Sequence, residues 1–536
     1  MTLSMCDQLR RHEDVTHIFV MYVFISVALF SEKAENSVPA SGLRSMEDIR
    51  RIRSVLTIKR TMKSIHLTLF LACGSSAFFL SPRRDSLPFH FSLRAVAKDG
   101  EEESSKAAHK IVICGGGIGG LSTAYDARHI LNKRDEVTVV SDRPYFSFTP
   151  SNPWVAMGKR QPSDIQVDLT KVLPRHGVKF VQGKATKLEP SSNKLRLEDG
   201  TVLDYDYLII ATGPKLAFDE VPGLRQYGES VCTTPHAVEA SEALDKLVQD
   251  PGPVVVGATQ GASCFGPAYE YALLLQHELK QRGGKALVDA CPISFVTSEP
   301  TIGHLGLNGA GDSEAILTKL FEKKNIKAFA NHKTARVTKD SVQVQECNDK
   351  GKVVAKKTLP SKLTMMIPPF HGHDVWKAVS GLADSKGMIL VNDKEQSIKY
   401  PNIFAVGVCG RLPPPDPTPI PIGAPKTGYM IESQGTAAVK NIKSMLDHKE
   451  AHTVPTLNGL CITDFGNTGA VFVTLPQSPP RSTDLTIENP AVIAAKVGFE
   501  KYFLHKIRSG DTDPYYEKYA LKLLGIERTA EEASPV

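Results

Sequence analysis

The sequence predicts a mixed α/β chain built on two Rossmann-like βαβ units, followed by a C-terminal region with amphipathic helices. Three observations predict it. An apolar run, Ile111-Val112-Ile113-Cys114, leads into Gly115-Gly116-Gly117-Ile118-Gly119-Gly120 and then a helical pattern over 121–132. A second apolar run, Val254-Val255-Val256, ends at Gly257 and again precedes a helical pattern. The composition, 41% hydrophobic and 23% charged over 536 residues, suits a chain that buries several cores. Continuous apolar strands of this kind are what a parallel sheet covered on both faces requires.

Residues 1–106 read as a targeting presequence and linker, to be set aside before fold reasoning. The apolar stretch from Ile18 to Phe30 is short for a spanning helix, which needs about 20 residues. A compact signal-like run follows from Met62 to Cys73, then small residues over 74–77, Phe78-Phe79 and Arg83-Arg84. That order resembles the two-part plastid presequences of algae with complex plastids. The arginine-rich stretch from Arg44 to Arg60 instead favours a mitochondrial presequence. The expected compartment is therefore a plastid or a mitochondrion, at an inner membrane surface. The acidic run Glu101-Glu102-Glu103 reads as a solvated linker.

The first unit begins a domain expected over 107–218. Gly115 permits the tight turn, Gly117 lets the backbone approach a pyrophosphate, and Gly120 lets helix and strand pack closely. The helix N-terminus then faces the phosphates. A second strand, Val137 to Val140, ends at Ser141-Asp142, where an acidic ribose ligand is expected about 20 residues on. Either residue fits that role.

The second unit opens a domain expected over 219–389. A second glycine would be needed where Thr259 stands, and the side chain there obstructs another pyrophosphate. Cys264 stands at the start of a predicted helix, so the dipole is expected to depress its thiol pKa. The run Asn402 to Cys409 returns the chain to the first domain over 390–446. After that run, Leu412 to Pro421 must be extended, because proline disfavours helix in the residue before it.

Nine cysteines in so long a chain do not make a disulfide scaffold, and none are spaced as metal ligands, so no metal is expected. A net charge of +6 without a basic tract argues against nucleic acid as a partner.

Two later elements indicate which dinucleotide binds. Ala211-Thr212-Gly213 closes an apolar strand and resembles the signature of two-dinucleotide-domain, disulfide-reductase-like flavoproteins. Phe404 to Val408 resembles the strand that holds a flavin ribityl chain, with Gly407 retained and Val408 where an acid is usual. The cofactor implied is FAD. Longer stretches then resemble the sulfide:quinone oxidoreductases, in their bacterial-type branch. They include Tyr145 to Trp154 (with Pro150), Ala211 to Phe218, Gly261 to Glu270, Ser298 to Gly306 and Gly423 to Glu432, and the likeness runs from about 110 to 527.

The resemblance implies sulfide and quinone as substrates and a cysteine relay. It matches Cys264 and Cys409 to the pair that forms the redox-active bridge, with Cys409 on the flavin side, and Cys232 to a third sulfur. His236 and His304 match histidines of proton handling. Lys426, followed by a helical run, is expected near the pyrimidine end of the flavin, and Phe370 and Tyr429 at the quinone ring. Val492 to Leu504 and Tyr515 to Leu524 carry aromatic and aliphatic faces with lysines beside them, which suits an interfacial helix on a membrane surface. Homo-oligomerisation stays open. The rival readings are a flavocytochrome-type sulfide dehydrogenase, an NADH:quinone oxidoreductase and a flavin-bound sulfide sensor.

Overall fold

The computed structural model describes residues 108–512 and 527–531. The predicted presequence and the stretch from Tyr515 to Leu524 lie outside the described residues. Strand β1 (Lys110–Cys114) runs into helix α1 (Ile118–Ile130) through the glycine turn. With β2 (Glu136–Ser141), β3 (Lys179–Gln182), β4 (Tyr207–Ile210) and β9 (Ile403–Ala405) it forms one five-stranded parallel sheet, in the order β9-β4-β1-β2-β3. Cys114 sits opposite both Val140 and Ile210, and Ala405 opposite Ile210, so the carboxyl ends of four strands line up. That edge is where ligands bind in open parallel sheets.

A second parallel sheet has four strands. Its order is β7 (Lys327–Phe329), β6 (Ile293–Thr297), β5 (Val254–Ala258) and β8 (Leu363–Ile367). Every residue of β5 is buried, and a Cβ at Gly257 would lie 1.8 Å from the Val296 carbonyl oxygen. Helix α2 (Thr234–Gln249) precedes this sheet, and α3 (Gly266–Ala290) follows β5. Helix α4 (Gly428–Leu446) packs along α1, with a Cβ at Gly435 meeting Thr123 Oγ1 at 2.3 Å.

The C-terminal region adds a three-stranded antiparallel sheet, β10 (Gly459–Asp464), β11 (Gly469–Leu475) and β12 (Thr483–Asn489), and helix α5 (Ala491–Ser509). Here the expectation of an interfacial helix over Val492 to Leu504 is corrected. Lys496 and Lys506 are 2% and 3% exposed and pair with Glu270 and Glu432 inside the protein. Phe503 packs against Phe148 at 5.2 Å between ring centroids. A lysine can sit beside an apolar face because it meets lipid headgroups or because it meets a buried carboxylate. The partner, not the helical pattern, distinguishes the two. Among the described residues, no helix is long and apolar enough to cross a membrane.

Candidate active site

The glycine turn is sterically obligatory. Gly115 has φ +134°, and a Cβ there would fall 2.1 Å from the Ala211 carbonyl oxygen. A Cβ at Gly120 would fall 1.8 Å from the Gly115 carbonyl oxygen. Gly117 and Gly213, by contrast, face open space, with nothing within 4 Å of a Cβ. Open backbone at the N-terminus of α1 is a cradle for a diphosphate, so these residues fit FAD. Ser141 is buried, with its hydroxyl accepting from the Arg143 amide at 3.3 Å, whereas Asp142 is exposed. The Thr212 hydroxyl accepts from the Trp376 indole at 3.1 Å. The Gly407 amide donates to Gln434 at 3.0 Å.

Beyond this turn lies a cavity of about 410 Å³, bounded by Ile118 at the start of α1, by Pro150, Val408 and Lys426, and by aromatic rings of α5. Lys426 donates to the carbonyls of Gly407 (2.8 Å) and Gly410 (2.6 Å). Burial lowers its pKa, and Glu395 and the Cys409 thiol oppose that. Phe370 and Tyr429 both stand on the cavity wall.

Cys264 and Cys409, which the resemblance matched as a pair, do not share the cavity wall. Cys264 lines the cavity together with Cys232 and Cys461. The thiols of Cys461 and Cys232 are the ionisable neighbours that bear on Cys264. Cys409 is not on the cavity wall. It is fully buried at the end of the 3-10 turn that follows β9 (Gly407–Cys409), and its thiol donates to the carbonyls of Ile210 and Val406, both at 3.2 Å. Its sulfur neighbour is Cys114, at the end of β1. The sulfur that faces Cys264 is that of Cys461, on β10, and it lies 3.7 Å from where a Cβ on Gly266 would stand.

A second expectation is overturned. The Cys264 thiol is not depressed by the helix dipole; burial pushes it up, and its two neighbouring thiols push the same way. The residue lies ahead of the N-cap of α3, Phe265, outside the first turn, and dipole effects fade within that turn. Burial likewise raises Cys232 and Cys461, each to about 11.

The two histidines are not on the cavity wall. His236, in the first turn of α2, packs edge-on to Phe218 at 5.1 Å, and its Nδ1 has no hydrogen-bond partner among the described residues. His304 sits in the loop after β6, facing Asp416 and Glu314. Burial lowers the pKa of both.

The second dinucleotide turn is occupied by the protein's own chain. The Thr259 amide and hydroxyl both donate to Ile367. The Gly261 amide donates to Pro421 at 2.9 Å, and the Gly423 amide to Ala262 at 2.9 Å. A Cβ on Gly423 would lie 2.1 Å from the Ser263 hydroxyl. The proline-rich strap is therefore laid directly over the turn that would otherwise receive a nicotinamide nucleotide.

Sequence reasoning missed Cys461, Glu270 and Lys496. The available signal was weak: a cysteine in a short apolar run outside the dinucleotide units, and a lysine on a helix that had a surface reading.

Two parallel sheets, one glycine cradle, one blocked turn and a cavity of thiols define a dinucleotide-binding oxidoreductase of the disulfide-reductase type. Residues 109–419 match the pyridine nucleotide-disulphide oxidoreductase family. The chain is 40% identical over 418 residues to the sulfide-quinone reductase of Aquifex aeolicus, covering 78% of this chain and 95% of that one. The crystal structure of the sulfide:quinone oxidoreductase from that bacterium superposes with a TM-score of 0.76, covering 79% and 97% of the two chains. The mitochondrial sulfide:quinone oxidoreductase of Dictyostelium discoideum is 26% identical over 372 residues, covering 67% of this chain and 75% of that one. The chain belongs to the pyridine nucleotide-disulphide oxidoreductases and, within them, to the sulfide-quinone reductase family.

Proposed function

We propose that this protein oxidises sulfide and delivers the electrons to a quinone, with Cys264 and Cys461 as the working sulfur pair and Cys232 as an auxiliary thiol. The observation that carries this reading is the meeting of these sulfurs in one apolar cavity bounded by the glycine-cradle helix and Lys426. Bound FAD supplies a two-electron acceptor that a quinone can reoxidise.

The chain's own residues do the rest. Hydrosulfide opens a Cys264–Cys461 disulfide by exchange, leaving a persulfide on one cysteine and a thiolate on the other. The thiolate is the reactive form, and three thiols raised by burial need help to reach it. The cation that favours the thiolate of Cys461 is Lys496, on the wall of the same cavity. Product is zero-valent sulfur or polysulfide. Phe370, Tyr429 and the rings of α5 offer aromatic surface to a quinone.

Quinones are lipid-soluble, so the protein works at a membrane surface of a plastid or mitochondrion. The strap over the second turn favours this reading over an NADH:quinone oxidoreductase. The test uses flavin-loaded protein. Sulfide should bleach its flavin absorbance under anaerobic conditions, and a soluble quinone should restore it. Absence of bleaching with full flavin content overturns the reading. Flotation with phosphatidylglycerol vesicles checks the membrane claim, and protein left at the bottom of the gradient overturns it.

A further inference from the structure

Glu270 and Lys496 form an ion pair that is almost entirely buried, 4% and 2% exposed, on the wall of the sulfur cavity. Buried ion pairs are costly to desolvate and are weak devices for stability. This one sits beside a thiol. Gly266 and Glu270 are four residues apart on α3, so they share a face. The Cys461 sulfur lies over Gly266 on that face. The other end of the same strand ties in: the Asp464 amide donates to Glu270 Oε1 at 3.2 Å. Lys496 Nζ lies 4.9 Å from the Trp154 ring, whose indole donates to Asp464 at 2.8 Å. The groups facing Glu270 are therefore Lys496 from α5 and Asp464 and Cys461 from β10.

We propose that Glu270 is the proton acceptor for the Cys461 thiol, and that Lys496 holds the negative charge as it passes from carboxylate to sulfur. The S–H bond breaks, an O–H bond forms on Glu270, and no electron moves. The buried group carries the same net charge before and after, so the transfer avoids placing a new uncompensated charge in an apolar cavity. Electrostatics agree in sign. Glu270 raises the Cys461 pKa and Lys496 lowers it, while burial lifts the Glu270 carboxyl to about 7. Once Glu270 is protonated, only the cation still acts on the sulfur. Glu270 and Cys461 then titrate as a coupled pair.

The inference rests on Cys461 being a working sulfur, and the test separates the two. The flavoprotein is reduced, and Cys461 alkylation by iodoacetamide is followed by mass spectrometry against pH. Wild-type alkylation should rise in two steps, levelling between them as the carboxyl ionises, because one proton is shared between carboxyl and thiol; E270Q should show a single alkylation limb, at least one pH unit below the upper step. In K496Q the alkylation limb should move up, with alkylation at least tenfold slower. The double variant should return towards the wild-type limb. Limbs that stay put in the single variants overturn the proposal; if one variant does not fold, the other decides alone. C461A addresses the underlying reading: sulfide bleaching that persists in C461A overturns the role of Cys461, whatever the alkylation limbs do.

Discussion

Substituting Cys409 and Cys461 in turn gives opposite outcomes, and both can be worked from the structure. Cys409 is fully buried, and its thiol donates to the backbone carbonyls of Ile210 and Val406. Cys409→Ala removes one sulfur from a closed site. The lost burial is worth roughly 1 kcal/mol, near that of one buried methylene. A void of about 25 Å³ adds about 0.6 kcal/mol at ~24 cal/mol per Å³. The sum, roughly 1–2 kcal/mol, lowers Tm by a few degrees, about 2–5 °C. Sulfide oxidation should survive within about threefold, since exchange at Cys264 does not use this sulfur. Cys461→Ala should do the reverse. It should cost under about 1 kcal/mol of stability, because the residue is only half-buried. Yet it removes one of the two sulfurs that exchange requires, so flavin bleaching by sulfide should fall by on the order of 10³ or more. Stopped-flow absorbance at the flavin band measures the rate, and calorimetry measures Tm. A flavin-loaded Cys409→Ala protein that no longer bleaches, beside a Cys461→Ala protein that does, would refute the reasoning.

Other consequences follow from the same geometry. Gly120→Ala places a Cβ 1.8 Å from the Gly115 carbonyl, so the protein should purify with little flavin; a wild-type 450 nm band would contradict this. NADH should leave the flavin oxidised over minutes, because residues 420–425 strap the second turn; bleaching by NADH would show that the strap yields. Glu299 is buried and accepts from Tyr269 and the Leu305 amide, and burial raises its pKa to about 7. Its folded pKa lies above the unfolded value of about 4.3, so its contribution is complete below that value and is lost as pH rises through about 7. Denaturant midpoints should therefore fall from pH 5 to pH 7.5, with a slope of up to about 1.4 kcal/mol per pH unit from this group. Glu299→Gln should flatten that slope, and an unchanged slope would reject the assignment.

The dinucleotide units could be read from the sequence because their determinants are local. A run of buried β-branched residues is a strand whatever surrounds it, and a turn that tolerates no Cβ must be glycine. Gly115, Gly120 and Gly257 are explained by contacts of under 2.2 Å to neighbouring backbone. Thr259 marked the second turn as altered for the same reason, although the strap that covers it comes from residues 420–425, more than 150 positions later.

What could not be read was set by partners far along the chain. Which sulfur faces Cys264 depends on how the sheet of residues 459–489 docks against α3, and nothing near Cys461 encodes that docking. Lys496 had the spacing of an interfacial helix, but a buried carboxylate on α3 claims it. The charge state of the thiols followed burial rather than proximity to a helix end, because desolvation acts through the whole surrounding volume. Short-range sterics wrote the cradle into the residue order, whereas Cys264 and Cys461 share a cavity only because long-range packing brings two distant segments together.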